Sequence, residues 1–559
     1  MKIAHNICIT ILMLFLYVSY TYAQFSINEK PIVYDKLTNT YMVSIPESAF
    51  GKDNPAAIAL DTDSAWTHLS IDGQSIRGNY TFQQVEANKE YQLQAERNQN
   101  TIHAKITFTF LPILKMEGDF GYDYANGTIS LYTPNDAENT SAYIKAKWRG
   151  GSTNTPDKHK RNYKIKTLNE KGKSKDVSFL GMREDNNWIL DAGQIDLFRL
   201  RNRIATELWN DFSTKPYYAD KETKAKSGVA GKVVEMILNN EYRGIYALTE
   251  AMDRKELKLK KYDEENKEFH GQLWKVSSWD KAQFWNIDQD YDNTQETWHA
   301  FETKYPDIED VNPTDYSLLY NAIHFVANSD DETFKREVEE YFDIPVLIDY
   351  QIFLEVMQAI DNRGKNMYWA VYDQAKGKKL TLAIWDLDAT VGQFYTDGTP
   401  LHPDLVQPET DIEVKNYHNL YVRLYENNVN DYANRVIERY KELRKTYLSE
   451  NNIQDRYQIY YNTLSSSGAA QREEKRWSQD SDIGGYVLNF KDELSYIKEW
   501  IHKRLTFLDA KIFTIPTGIN EVNHQAWAKK ENKYNILGQK VDSNYKGMLI
   551  IKGKKYWNK

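Results

Sequence analysis

The stretch from Asp343 to Asp388 constrains this chain more than any other. An apolar helical run, Asp343 to Ile360, leads into Asp361-Asn362-Arg363-Gly364-Lys365-Asn366. Two β runs follow, Met367 to Tyr372 and Leu380 to Trp385, turned by Asp373-Gln374-Ala375-Lys376-Gly377. The second run ends in Ile384-Trp385-Asp386-Leu387-Asp388. If the strand continues, Asp386 and Asp388 point to one face and can ligate a metal together. Two carboxylates side by side are costly to keep ionised without a cation, and metal binding is the simplest reason for the arrangement. Asp386, at the strand end, ranks above Asp388.

That succession suits phosphoryl transfer. The chemistry needs a carboxylate to orient an acceptor hydroxyl, hard oxygen ligands for one or two Mg²⁺, and a cation on the phosphates. Protein kinases supply an Asp and an Asn five positions apart, a hairpin, and a second Asp. The step from Asp361 to Asn366 has that spacing and that context. Alone it also fits an ordinary helix-ending turn, which favours the same residues; the hairpin and the Asp386/Asp388 pair lift it above that reading.

The rest of the chain sets bounds. Met1-Lys2, an apolar stretch from Ile7 to Val18 and Thr21-Tyr22-Ala23 before Gln24 have the pattern of a cleaved secretory signal over residues 1–23; the apolar run is too short for a membrane-spanning helix. The single cysteine, Cys8, lies inside it, so a mature chain would lack disulfides, cysteine nucleophiles and cysteine zinc sites. The expected location is periplasmic, cell-surface or extracellular, with cell-envelope association open. A formal net charge of −9 argues against a nucleic-acid binder. The 40 Tyr and 14 Trp fit carbohydrate platforms as well as ordinary core aromatics, and decide nothing.

Along the chain, 24–110 reads as a small β-sandwich: Ile102, Ala104, Ile106, Phe108 and Phe110 alternate with polar residues, and Asp72-Gly73 marks a turn. Residues 111–260 mix strands, with an Asn126-Gly127 hairpin signal, Tyr163 to Lys166, Val233 to Leu238 and Gly244 to Leu248, around one helix near Asp196 to Phe212. Residues 261–513 are mainly helical with the one hairpin, and the last helix carries Leu494, Ile497, Ile501, Leu505 and Leu508. A linker at Ile515-Pro516-Thr517-Gly518 opens a small β tail over 514–559, either a C-terminal extension of exported bacterial type or a β module with no sorting role. The fold class expected is α+β.

Several segments then resemble the CotH family, the kinase-like proteins of bacterial spore coats. Trp148-Arg149-Gly150-Gly151-Ser152-Thr153 is similar to its Arg-Gly-Asn-Ser-Ser element, Lys160 to Lys166 to its basic strand, and Asp196 with Leu200-Arg201-Asn202 to its helix. Glu241 to Glu250 is similar to its strand into the hinge, and the Asp361 step and Trp385-Asp386-Leu387-Asp388 complete the order. The resemblance spans about 111–513 and implies a two-lobed kinase-like fold, with a small lobe at about 111–260 and a large lobe at about 261–513. It implies a kinase using ATP and Mg²⁺ or Mn²⁺ to phosphorylate hydroxyls of a protein substrate, here another exported or surface protein. By position, Asp361 is the catalytic base, and Asn366 and Asp386, with Asp388, are the metal ligands. Lys164 or Lys166 contacts phosphates, with a solvated basic edge as the alternative for either, and Glu207 either pairs with that lysine or is a surface charge. Arg149, Gly150, Gly151, Ser152, Thr249, Glu250 and Trp385 line the nucleotide, Glu250 at the hinge.

The pattern departs from the family at Gly150-Gly151, which replaces Gly-Asn, and no Gly-x-Gly-x-x-Gly loop is present. Gly231-Lys232 is no Walker motif, since Val233 lacks the hydroxyl. Because ATP supply outside the cytoplasm is in doubt, a second reading is a catalytically silent surface adhesion or glycan-associated protein. A third is phosphoryl transfer to a sugar hydroxyl.

Overall fold

The computed structural model describes residues 25–514, apart from 61–65, 98–99, 279–281, 287–289, 397–398 and 402–406, and four short strands of the C-terminal tail. Residues 1–24, which include the segment read as a signal, and most of the tail lie outside the described residues. No described helix is long and apolar enough to cross a membrane.

Alternation of apolar and polar residues builds the N-terminal region as two sheets of four and six strands. Ile27, Ile58 and Phe82 of one meet Val43, Leu93 and Ile106 of the other in a single core. Asp72 and Gly73, both at positive φ, turn the hairpin between Trp66–Ile71 and Gln74–Ser75. The sandwich is tied to the next part of the chain by Val33 and Met42 packed on Ile113, Ile237 and Tyr242, and by Asp35 Oδ1 accepting from Tyr242 N at 2.9 Å.

A closed barrel of seven strands comes next: β1 (Ile113–Glu117), β2 (Ala125–Tyr132), β3 (Thr140–Arg149), β4 (Asn162–Leu168), β5 (Asn187–Asp191), β6 (Gly231–Leu238) and β7 (Glu241–Glu250), in the order β1-β2-β3-β4-β5-β7-β6. β6 and β1 pair in parallel to close it. One face of each strand fills the interior, including Ile144, Ala146, Tyr163, Ile165, Trp188, Leu190, Tyr246 and Leu248. The period of two then sends Lys145, Lys147, Arg149, Asn162, Lys164, Ile189, Asp191, Ala247 and Thr249 outward together. Asn126-Gly127 is not a turn, as the sequence suggests, but lies within β2. A Cβ on Gly127 would stand 2.2 Å from Glu117 O, so the glycine serves close strand approach.

Helix α1 (Arg201–Phe212) packs in the core of the C-terminal half, with Trp209 against Tyr350 and Phe353, and shares that core with Ile245 of β7; Asp196 belongs to the turn before it, accepting from Phe198 N at 2.8 Å and Arg201 N at 2.7 Å. The C-terminal half is mainly helical, but its β content is larger than one hairpin. Strands β8 (Gln272–Val276), β9 (Thr297–Trp298) and β10 (Phe301–Tyr305) join the hairpin β11 (Met367–Val371) and β12 (Leu380–Ile384) in a five-stranded sheet, β9-β10-β8-β11-β12. β8 to β10 lie among loops rich in polar residues, and so lack the apolar periodicity that marks the hairpin. Helix α2 (Ile344–Met357), buried along almost its whole length, runs behind this sheet and delivers the chain to Asp361. α3 (Ala469–Trp477) returns to the barrel. There Glu473, fully buried, accepts from Lys160 Nζ at 2.8 Å, Arg199 Nε at 2.7 Å and Ile245 N at 2.7 Å. The last long helix, α4 (Phe490–Phe507), turns its expected apolar side inward.

Candidate active site

A cavity of about 430 Å³ opens between the outer face of the barrel and the segment that leaves α2 and β12. The barrel supplies Arg149, Gly150, Gly151, Asn162, Ile189, Asp191 and Thr249; α1 supplies Asn202, Arg203 and Thr206; and the other wall supplies Lys275, Lys365, Asn366, Trp385, Asp386 and Asp388.

The turn after α2 is fixed from below. Tyr350 Oη donates to Asn362 O at 2.7 Å, and the buried Asn362 side chain donates to Asn366 O at 3.0 Å and Trp385 O at 2.7 Å. One amide therefore joins the acidic turn to the end of β12. Asn366 N donates to Val276 O at 3.3 Å, and Asn366 itself is at φ 56°, a left-handed conformation that Asn tolerates better than most residues. Its Nδ2 donates to Asp361 Oδ2 at 2.6 Å, while Lys365 Nζ pairs with Asp361 Oδ1 at 3.0 Å. Asp361 is 2 % exposed and meets the cavity through Asn366 and Lys365.

β12 ends at Ile384, held by Ile384 N donating to Ser227 O at 2.9 Å. Asp386 then takes φ 59°, so the strand does not continue through the carboxylate pair. The side chains still share the cavity because the backbone turns there, with Leu387 N donating to Asn202 Oδ1 at 3.1 Å. Asn202 Nδ2 in turn donates to Asp191 Oδ2 at 2.7 Å. The barrel, α1 and the Asp386–Asp388 segment thus meet on one amide.

Charges of both signs crowd this space, with Asp191, Glu302, Asp386 and Asp388 set among Arg149, Arg203, Lys275 and Lys365. Burial raises Asp386 above the ordinary carboxylate range, Arg149 and Lys275 pull it back, and Asp361 and Asp191 raise it further. Asp388 stands well above its ordinary value, through burial first and then Asp386, Asp191, Asp361 and Asp196. Burial lowers Lys275, Asp386 opposes that, and Arg149 adds to it. Arg149 also lies over the Trp385 ring at 5.3 Å. A set of this kind holds its carboxylates ionised together when a divalent cation joins them. The donors fit a hard cation: two carboxylates and the Asn366 amide oxygen, its nitrogen being committed to Asp361. Two other groups bring a histidine and two acids within 4.8 Å of one another, His159-Asp480-Asp482 and Asp263-Glu268-His270; neither contributes to the cavity lining.

Of the residues singled out in the sequence, Arg149, Gly150, Gly151, Thr249, Trp385, Asn366, Asp386 and Asp388 line the cavity, and Asp361 bonds to two residues that do. Gly150, at φ 126°, leaves no room for a Cβ beside Thr153 Oγ1, so the loop is shaped by glycine there. The Ser152 side chain lies outside the described residues. Three assignments are not brought to the cavity. Lys164 and Lys166 share the outward barrel face but project beyond its lining. The Glu250 carboxylate faces away from Thr249 and accepts from Arg183 N at 2.9 Å and Ala230 N at 3.2 Å. Glu207 meets Arg203 at 3.2 Å and Tyr460 Oη at 2.7 Å, not either lysine. Asp191, Asn202, Arg203, Lys275 and Lys365 were not given roles from the sequence. Lys275 had no signal, because its strand is unpatterned, whereas Asp191 ends a readable strand and Asn202 sits in a recognised motif.

The fold and site define a class: an α+β protein whose barrel and helical half enclose a cleft of carboxylates, an amide and cations suited to metal-assisted phosphate chemistry. A family model described as CotH kinase protein matches residues 146–508, more than half of the chain, and the chain belongs to that family. The matched range contains every cavity residue named above. No curated protein matches the chain.

Proposed function

We propose that the chain is an exported ATP-dependent phosphotransferase acting on a hydroxyl of a protein, itself another exported or surface protein. The observation that carries this is the hydrogen bond from Asn366, which lines the cavity with Asp386 and Asp388, to the buried Asp361 behind it, in a member of a family named for kinase activity. Asn366 and Asp386, with Asp388 beside them, would hold Mg²⁺ or Mn²⁺. Such an ion supplies charge neutralisation on the phosphate oxygens. Lys275 and Arg149 face Asp386 and line the cavity, and are the cations placed to meet phosphates, whereas Lys164 and Lys166 stand on the same barrel face outside that lining. Ile189, Ala247 and Thr249 offer the flat, mostly apolar wall that a base needs.

In the transfer, the acceptor oxygen forms a bond to the γ-phosphorus as the bond from that phosphorus to the bridging oxygen breaks, and ADP leaves. Asp361 orients the hydroxyl and takes its proton; the hydroxyl replaces Lys365 on Oδ1.

The test is incubation of the mature chain with γ-labelled ATP and Mg²⁺ or Mn²⁺, alone and with co-exported proteins, beside Asp361→Ala and Asp386→Ala. Label transferred by wild type and lost in both variants is expected. Absence of nucleotide binding and transfer in wild type would remove the enzyme reading and leave a binding scaffold.

A further inference from the structure

Four lysines on the outer barrel face take no part in the cavity. Lys145 and Lys147 on β3 stand directly opposite Lys166 and Lys164 on β4. Like charges facing across a strand pair destabilise a sheet. Here two such pairs follow one another in a chain whose formal net charge is −9. Among the described residues none of the four forms an ion pair, although other lysines of the barrel do, as Lys115 does with Glu117 at 2.8 Å. The ammoniums of Lys145, Lys147 and Lys166 gather instead over the ring of Tyr124, at 5.3, 4.9 and 5.4 Å. Loss of water around Lys164, and then the charges of Lys166, Lys304 and Lys147, hold its ammonium below the ordinary value. The nearby acids do not settle the balance: Asp307 and Glu309 act on Tyr124, and Asp307 on Lys164, across the gap, but neither pairs with a lysine of the strip.

The strip is continuous with the cavity. Lys164 stands opposite Ile189, a lining residue, and Arg149, also lining, lies two residues beyond Lys147 on the same face. Side chains two apart on one face of a strand are spaced about 6.6 Å along it. Carboxylates at alternate positions of an extended peptide have that same repeat.

We propose that Lys145, Lys147, Lys164 and Lys166 form a docking track for an extended acidic segment of the acceptor protein, with Asp or Glu at alternate positions, leading a hydroxyl in that segment to the cavity. This rests on the phosphotransfer reading above and names the chemistry of its substrate. The positive strip steers such a segment and fixes its register, and the hydroxyl-bearing residue lies beyond Arg149.

The experiment uses the full mature chain and two short fluorescent peptides, one alternating Glu with Ser, the other with Gln in place of Glu. Binding is followed by anisotropy at low salt and at about 150 mM salt, where exposed charges are screened beyond roughly 8 Å. Affinity of a fluorescent ATP analogue with Mn²⁺ is measured in parallel, in wild type, K145E/K147E and K145Q/K147Q. The Glu peptide is expected to bind at least about tenfold tighter than the Gln peptide, losing the advantage in salt; charge reversal removes it, neutralisation reduces it, and nucleotide affinity stays within about twofold. Equal affinity for both peptides, or no effect of K145E/K147E, overturns the proposal. So does a parallel loss of nucleotide affinity, which assigns the lysines to nucleotide phosphates. A protein that binds Mn²⁺ and nucleotide but not the acidic peptide keeps the phosphotransfer reading and loses the track. One that binds the peptide but no nucleotide does the reverse.

Discussion

Replacing Asn362 by Ala should loosen the active-site turn without touching any group placed to meet substrate. Asn362 is fully buried, and its Nδ2 ties the acidic turn to the end of β12 just beyond the Met367–Ile384 pairing, with bonds of 3.0 Å to Asn366 O and 2.7 Å to Trp385 O. Each bond is worth about 1 kcal/mol net, and two carbonyls left buried without a donor add to the loss. Against that, the vacated space admits water that recovers part of the penalty. The balance is about 2 to 3 kcal/mol of local stability, which is a roughly 30- to 150-fold rise in the exchange rate of amides that open with this turn. The assay is hydrogen exchange read by mass spectrometry on peptides covering 361–371 and 380–388, with the N-terminal sandwich as internal control. Mn²⁺ affinity should weaken in the same variant, because Asn366 and Asp386 lose their common anchor. Asn362→Asp, which sets a carboxylate against two carbonyl oxygens, should be worse than Ala. Exchange unchanged in 361–388, with metal affinity intact, would refute the claim that this amide holds the site together.

Other consequences can be measured separately. Glu473→Ala strands Lys160 and Arg199 in the interior and should cost about 3 to 5 kcal/mol, seen as a large fall in thermal midpoint, with Glu473→Gln milder. Gly244→Ala should destabilise the same junction, since a Cβ there would stand 1.9 Å from Glu473 Oε2 at φ 93°. His418 is held neutral by burial, its pKa pushed down to about 3 from 6.5. The unfolded chain takes up that proton below pH 6.5 and the folded one does not until about 3. Stability from this group is therefore complete above 6.5 and is lost as pH falls towards 3, by up to roughly 5 kcal/mol. Denaturant midpoints measured across that range should fall less steeply in His418→Gln. Saturating Mn²⁺ should raise the thermal midpoint through linkage worth about 2.7 kcal/mol at a hundredfold excess over Kd; chelation should reverse it and Asp386→Asn abolish it.

The parts of this fold that were legible in the sequence are those whose periodicity is enforced by a core. The hairpin Met367–Val371 and Leu380–Ile384 is buried on both faces and reads as two apolar runs. The last long helix and the strand around Tyr163 to Lys166 in β4 are equally plain. What was not legible depends on backbone turns between such elements. The pair Asp386 and Asp388 was expected on one face of a continuing strand, whereas a left-handed turn at Asp386 and a bond from Leu387 N to Asn202 bring both to the cavity. Spacing placed Lys164 and Lys166 on the correct face but could not show how far along it the cavity extends. Lys275, which does face Asp386, lies on a strand whose partners are distant in sequence, and no local pattern marks it. Glu250 was expected at a ligand, but its alternation with Thr249 turns it to the backbone of Arg183 and Ala230.

The most direct test of the central claim is a single-turnover transfer of label from γ-labelled ATP in Mn²⁺, comparing wild type with Asp361→Asn, in which nucleotide binding is first measured and then saturated. Asp361 touches the ligand set through Asn366 but is assigned to the acceptor proton, so the variant should bind nucleotide within a few-fold of wild type and transfer label at least about 100-fold more slowly. Transfer at the wild-type rate by Asp361→Asn with nucleotide bound would contradict the account.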